Sequence, residues 1–255
     1  MTGLLAGANY LVSGAANSRS IAWSVALAIK RHGGSVALTY QAERLKSRVR
    51  PLADELGGAP LIECDVSSDE AVRRAIDELA VTMPTLDGLV HSIAWAPTYD
   101  LQGSFAETTR EGYAQANDIS SYSLIAIARE ARRLMTRGGA IVTMTYAGSW
   151  RVVPNYNVMG PAKASLESAV RYLAADLGPD SIRVNAISAG LIATVAARTI
   201  KDFDLMHDQL ATRTPLRRNV TPEEVADAAV FLLSDLSRAI TGETVHVDAG
   251  AHTIV

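Results

Sequence analysis

Cysteine is nearly absent. Cys64 is the single thiol in 255 residues, so no disulfide can close within the chain and a reducing compartment is expected. It ends the apolar stretch Pro60-Leu61-Ile62-Glu63-Cys64 and reads as a small buried hydrophobe, not a nucleophile. An excess of positive charge is missing too: 24 Lys and Arg stand against 27 Asp and Glu, a net charge of −3. That balance argues against the basic face of a nucleic-acid binder and against an electrostatic membrane anchor. No apolar run approaches the ~18 residues of a membrane span. No basic residue precedes Arg19, whereas a secretory signal needs a positive start. A cytoplasmic protein is therefore expected. His32, His91, His207, His246 and His252 show no ligand spacing, so no metal site is expected. Repeats, low-complexity tracts and linkers are also lacking, which leaves the whole length for one domain with a sizeable core.

What the chain does contain is a regular alternation. Short β-branched or apolar runs at 10–13, 35–40, 60–64, 88–92, 140–145, 182–187 and 244–248 alternate with helical patterns at 21–32, 42–56, 69–83, 121–135, 158–177 and 222–233. Leu166, Ala169, Val170, Leu173, Ala174 and Leu177 recur at three- and four-residue steps, which gathers them on one helical face. Thr221-Pro222-Glu223-Glu224 opens the last helix with a hydroxyl cap, a proline at the first position and acids at the positive end of the dipole. Strands alternating with helices imply a parallel sheet covered on both faces. The expected fold is α/β: one doubly wound, Rossmann-like domain over 1–255, with a seven-stranded parallel sheet flanked by helices. Such sheets bind ligands beyond the carboxyl ends of their strands, and functional residues are sought there.

The first strand runs into Ser13-Gly14-Ala15-Ala16-Asn17-Ser18-Arg19-Ser20-Ile21-Ala22. Gly14 permits a tight exit, Ala15 and Ala16 let the backbone come close, and free N–H groups near Ser20 and Ile21 would face a diphosphate. Only the first glycine of G-x-G-x-x-G is present, so the segment alone reads equally as an ordinary turn. The second strand ends at Thr39-Tyr40-Gln41, where dinucleotide sites place a ribose-reading acid or, for a 2′-phosphate, a basic residue. Gln41 is neither and can hydrogen-bond a free ribose hydroxyl, while Arg44 and Lys46 follow on a helix. NADH is expected over NADPH. Asp65 and Val66 follow the third strand, where an adenine would rest, although a plain turn aspartate explains Asp65 as well.

Tyr156 and Lys163 are seven residues apart. On a helix that is almost two turns and roughly 10 Å along the axis, so both point the same way. A cation so placed favours the phenolate and lowers the tyrosine pKa, and its stem can reach ribose hydroxyls. A capping tyrosine and a surface lysine on an amphipathic helix would show the same spacing. The position of the pair, late in an alternating chain that opens with the Gly14 turn, favours the chemical reading.

Tyr156-Asn157-Val158-Met159-Gly160-Pro161-Ala162-Lys163 resembles the Y-x6-K motif of bacterial enoyl-acyl-carrier-protein reductases. These are a divergent branch of the short-chain dehydrogenase/reductases, whose ordinary members carry Y-x3-K. His91-Ser92-Ile93-Ala94 stands where ordinary members have N-N-A-G. Asp118-Ile119-Ser120-Ser121-Tyr122-Ser123, Arg183-Val184-Asn185-Ala186-Ile187-Ser188-Ala189-Gly190, Ile200-Lys201-Asp202-Phe203 and Val245-His246-Val247-Asp248 extend the resemblance over essentially the whole chain. It implies reduction of trans-2-enoyl thioesters, carried by acyl-carrier protein, with NADH.

The resemblance assigns Tyr156 as hydrogen-bond donor to the thioester oxygen, Lys163 as holder of the ribose and source of positive field, and Tyr146 as a second tyrosine at the substrate. It places Ser20, Ile21, Ser92, Ala94, Ile192 and Thr194 along the cofactor. Ala96, Met159, Phe203 and Met206 fall in the acyl pocket and its lid, at about 194–210. Thr143 lies near the slot of the ordinary catalytic serine but is expected to face the sheet. The lid, with Lys201, Asp202, Asp204 and Asp208, lacks a continuous apolar face. A segment that orders on binding and a plain surface helix both fit it. A homotetramer is implied, with 121–135 and 158–177 packing across subunits.

Three departures from the family pattern stand out. Leu191 replaces a usual proline and Ala193 a common arginine. Ala94 often corresponds to glycine, and its methyl group narrows the cavity beside the cofactor. Pro161, early in the catalytic helix, removes one backbone hydrogen bond and predicts a late or slightly bent helix start. Two other expectations compete. A short-chain ketone or alcohol dehydrogenase needs a serine beside Tyr156. A non-catalytic nucleotide sensor is opposed by the intact Tyr156 and Lys163.

Overall fold

The computed structural model describes residues 3–195 and 197–254. In chain order its elements are β1 (Asn9–Ser13), α1 (Ile21–Arg31), β2 (Ser35–Tyr40), α2 (Glu43–Glu55), β3 (Leu61–Glu63), α3 (Asp69–Thr82), β4 (Gly88–His91), α4 (Arg110–Asn117), α5 (Ser123–Ala131), β5 (Gly139–Thr145), α6 (Met159–Leu177), β6 (Ile182–Ala189), α7 (Phe203–Arg213), α8 (Pro222–Leu233) and β7 (Thr244–Val247). The strands form one seven-stranded sheet in the order β3-β2-β1-β4-β5-β6-β7, and all neighbours are parallel. The chain starts mid-sheet, winds out to β3, returns to β4 and winds out to β7. β1 and β4 therefore meet where the winding reverses, with Ser13 opposite His91. This is the expected doubly wound α/β architecture.

Alternation along each strand feeds two cores. Val12, Val90 and Val142 pack with Ile29 of α1 and Val225 of α8. Leu11, Leu89 and Ile141, one residue out of phase, pack with Ile76 of α3, Ile127 of α5 and Leu166 of α6. Both faces of the sheet are thus dry, which is why its central strands read as nearly continuous apolar runs. The cap read at Thr221 is present: Thr221 Oγ1 accepts from Glu224 N at 3.3 Å and Glu224 Oε2 accepts from Thr221 N at 2.9 Å. Among the described residues no helix is long and apolar enough to cross a membrane.

Several elements bear on the sequence reading, and α4 (Arg110–Asn117) is one that it lacks. The helix expected over 121–135 is α5, which ends at Ala131 and is preceded by a π-turn over Asp118–Tyr122 that joins it to α4. The extra residue in that turn lets successive serines face different neighbours. Ser120 Oγ donates to Trp95 O at 3.0 Å, and Ser121 Oγ lies 2.9 Å from Ser165 Oγ of α6. The catalytic helix α6 begins at Met159, not Val158, so the expected late start is observed. Pro161 is then its third residue, where a helix needs no N–H bond of its own. Ahead of it, Met159 N and Gly160 N bond three residues back, to Tyr156 O at 3.0 Å and Asn157 O at 2.8 Å. Within 194–210, where no continuous apolar face was evident, residues 203–210 form most of α7, with Phe203 buried; Ala196 lies outside the described residues.

Candidate active site

The exits of β1 and β4 lie so close that the chain between β1 and α1 has little room. Gly14 has φ +96°, and a Cβ there would stand 2.0 Å from Ser92 O. No side chain fits, and the positive φ independently favours glycine. Asn17 shapes the rest of the loop: its Oδ1 accepts from Arg19 N at 2.9 Å and its backbone O from Ser20 Oγ at 2.7 Å. Ser20 is extended, and α1 starts at Ile21, whose first N–H groups have no intrahelical acceptor. A diphosphate fits this cradle. One residue earlier, the buried Ser13 Oγ has no hydrogen-bond partner among the described residues, a donor ready for a ligand oxygen.

The other expected cofactor residues line the same edge of the sheet. Gln41 is exposed just past β2, Val66 is buried past β3, and Ser92 and Ala94 follow β4. Ile192 is buried and Thr194 half-buried past β6. Asp65 serves its turn, accepting from Ser67 N at 3.1 Å and Ser67 Oγ at 2.8 Å through Oδ1. Lys46, a cation shortly after β2, is held at 3.2 Å by both carboxylate oxygens of Glu43, and Arg44 is exposed.

Tyr156 and Lys163 are both buried, but not as two residues of one helix. Tyr156 sits in the turn before α6, flanked by Asn155 (φ 60°) and Asn157 (φ 35°). The bends at both neighbours send its ring inward, where it is 9% exposed. A Cβ on Gly148 would lie 2.4 Å from that ring. The Tyr146 ring meets it edge to face, with centroids 5.1 Å apart and planes at 70°. Lys163, the fifth residue of α6, is buried and donates from Nζ to Met144 O at 2.8 Å. Tyr146, Tyr156 and Lys163 therefore share one site at the ends of β5 and α6.

The electrostatics reverse one expectation. Burial pushes the Tyr156 phenol well above its ordinary range, and Tyr146 and Glu167 push the same way. Lys163 does not lower it. Desolvation outweighs the cation here, because the ring is enclosed and the ammonium is turned toward a carbonyl. A phenol kept neutral can donate a hydrogen bond to a developing anion. Lys163 itself is brought down from 10.5 to about 8 by burial, against an upward pull from Glu167. Burial also raises Tyr146, opposed by Arg151.

The substrate side is apolar. Tyr156, Met159 and Leu101 form a small cluster with Val158 and Ala162, and Ala96, Tyr146, Val153 and Ile200 pack against it. The structure thus brings Ala96, Tyr146, Tyr156 and Met159 together. It adds Leu101, at the end of a single 3-10 turn (Thr98–Leu101), and Val153 and Ile200, apolar residues outside the strands and α-helices that carry no periodic signal. Phe203 and Met206 sit on α7. The Phe203 ring stacks on His207 at 5.6 Å and is not part of that cluster. Thr143 is turned away, its Oγ1 2.8 Å from His91 Nδ1, so no hydroxyl from that slot reaches Tyr156.

Comparison with known proteins places the whole chain in one family. A protein-family profile described as Enoyl-(Acyl carrier protein) reductase matches residues 14–252. The chain is 49% identical over 253 residues to the NADH-type enoyl-acyl-carrier-protein reductase FabI of Bacillus cereus, covering 98% of this chain and 99% of that one. It is 49% identical over 247 residues to the NADPH-type FabI of Staphylococcus aureus, covering 96% of each. Among solved structures, the enoyl-acyl-carrier-protein reductase (NADH) from Aquifex aeolicus superposes with a TM-score of 0.96 at 48% identity, over 99% of both chains.

Proposed function

The chain belongs to the enoyl-acyl-carrier-protein reductase family, and from that membership we propose how its site works. It is an oxidoreductase that reduces the carbon–carbon double bond of trans-2-enoyl-acyl-carrier protein with NADH, the last reductive step of a round of fatty acid elongation. The observation that carries this reading is the buried, neutral Tyr156 packed against Tyr146, with the buried Lys163 bonded to Met144 O two residues before Tyr146.

When bound, NADH supplies the hydride that reaches the β-carbon of the substrate. Negative charge then gathers on the thioester oxygen, and stabilising that oxygen is the catalytic problem. Tyr156 donates a hydrogen bond to it. The closed apolar surroundings of the phenol keep water away and strengthen that bond. Tyr146 holds the Tyr156 ring in place from the side and lines the cavity. An ammonium has three donors. Met144 O takes one from Lys163, which leaves the others for the ribose hydroxyls. Gly14, Ser20 and Ile21 would hold the diphosphate, Gln41 a ribose hydroxyl, Asp65 and Val66 the adenine, and Ser92, Ala94, Ile192 and Thr194 the nicotinamide half. Because Glu43 holds Lys46, a 2′-phosphate near Gln41 would meet a carboxylate as well as a cation. That favours NADH.

Residues 194–210 act as the lid of a single domain, with Ile200 leaning on the cluster around Tyr156 and with Phe203 and Met206 closing over the acyl chain. The protein works as a cytoplasmic homotetramer. The exposed aromatic rings of Tyr122, just ahead of α5, and Tyr172 on α6 support subunit contacts through 121–135 and 158–177. Replacing Tyr156→Phe removes only the donor. Turnover is expected to fall by about a hundredfold or more, the scale of losing one donor to a developing oxyanion, while NADH affinity stays unchanged. Normal turnover in that variant would overturn the role of Tyr156.

A further inference from the structure

Three consecutive residues at the end of β5 each touch the catalytic segment. Met144 O accepts from Lys163 Nζ at 2.8 Å, Thr145 Oγ1 donates to Glu167 Oε1 at 2.7 Å, and the Tyr146 ring meets Tyr156 at 5.1 Å. The outer two contacts involve residues already placed in the site. The middle one involves Glu167, which family membership does not explain. We propose that Glu167 is a positioning residue: held by Thr145, its carboxylate keeps the Lys163 ammonium charged and fixes α6 against the end of β5. The proposal rests on the role given to Lys163 above.

Glu167 follows Lys163 by four residues on α6, and residues so spaced are neighbours on one helix face, about 5–6 Å apart at Cβ. Thr145 is 4% exposed, and its single proton goes to the carboxylate. Thr145 is the one hydrogen-bond partner of the Glu167 side chain among the described residues, so no close cation cancels its charge. Lys163 is fully enclosed and needs a compensating charge to stay ionised. The groups around it offer no other. His91 on β4 is buried and held neutral. Tyr146 and Tyr156 are pushed toward their neutral forms. Arg171, one turn beyond Glu167, is exposed. Across the sheet, His246 of β7 also feels Glu167, but burial lowers its pKa first and His252 opposes its charging. Glu167 is the one carboxylate acting on Lys163.

The test is Glu167→Gln, which keeps the acceptor for Thr145 and the side-chain volume and removes only the charge. Its readouts are the Lys163 titration in cofactor-free protein, followed by carbon-13 lysine NMR, and NADH binding by fluorescence between pH 6 and 10. Loss of a nearby opposite charge is expected to move the Lys163 titration, and the alkaline fall of NADH binding, down by roughly one pH unit. Thr145→Val, which keeps the charge but frees the carboxylate, is expected to move both in the same direction by less. In a Lys163→Arg background, Glu167→Gln is expected to shift nothing, because arginine stays charged throughout. Curves for Glu167→Gln that superimpose on wild type would overturn the proposal, and so would an equal shift in the Lys163→Arg background. Neither readout needs enoyl reduction. A failure of the proposed reaction would therefore leave this result standing, and a failure here would leave that reaction standing.

Discussion

His91 lies wholly inside the protein with both ring nitrogens engaged, Nδ1 2.8 Å from Thr143 Oγ1 and Nε2 2.8 Å from Ser123 Oγ. Ser123 Oγ also lies 2.6 Å from Ile119 O. Thr143 Oγ1 lies 3.1 Å from His91 O as well, so each ring nitrogen of the neutral imidazole faces a hydroxyl that can donate or accept. Burial, and then the nearby Lys163, push its pKa from 6.5 down to about 3. The unfolded chain binds this proton near pH 6.5 and the folded chain does not. Stability from the neutral ring is therefore complete above that pH and is lost as pH falls toward 3. Between pH 7 and 5 the group is expected to cost about 2 kcal/mol, seen as a falling urea midpoint. His91→Gln, uncharged at both pH values, is expected to flatten that slope; an unchanged slope would place the acid sensitivity elsewhere. The sequence marked His91 only as part of a motif. Its role depends on partners 32 and 52 residues away, which no local pattern reveals. Tyr156 and Lys163 were legible because their spacing is local. The direction of the Tyr156 shift was not, because desolvation comes from Gly148, Tyr146 and residues of distant segments.

Among the elements, those with strong periodicity or a chemical cap were readable and the others were not. The strands were found because burial on both faces leaves unbroken apolar runs. α8 was found through Thr221 and Pro222. Its capping box predicts that Thr221→Ala lowers stability by about 1 kcal/mol and leaves kcat untouched. Thermal unfolding beside an activity assay checks this, and an unchanged melting temperature would mean the cap contributes nothing. α4 escaped notice because its eight residues are largely polar and exposed, so no face stands out. The π-turn at Asp118–Tyr122 escaped because only contacts to Trp95 and Ser165 reveal it. α7 has a left-handed Asp202 (φ 60°) at its start and one buried residue, Phe203. Such a helix depends on what it covers, in keeping with a lid.

At the scale of the whole molecule, the strand order does most to build the site. Reversal of the winding between β1 and β4 opens a crevice at their carboxyl ends. Gly14, Ser92, Lys163 and Ile192 then lie along one edge of the sheet although the sequence separates them widely. The alternation of strands and helices predicts this edge from the sequence. The apolar cluster at Leu101, Val153 and Ile200 could not be predicted, because a short 3-10 turn and loops build it. The reaction assigned to this edge is tested most directly by following NADH oxidation with a trans-2-enoyl thioester, beside a β-ketoacyl thioester. Oxidation with the enoyl substrate alone is the expected result. It follows from a neutral Tyr156 with no hydroxyl partner in the slot that Thr143 has vacated. Oxidation with the ketoacyl substrate alone, or silence with both despite tight NADH binding, would contradict it.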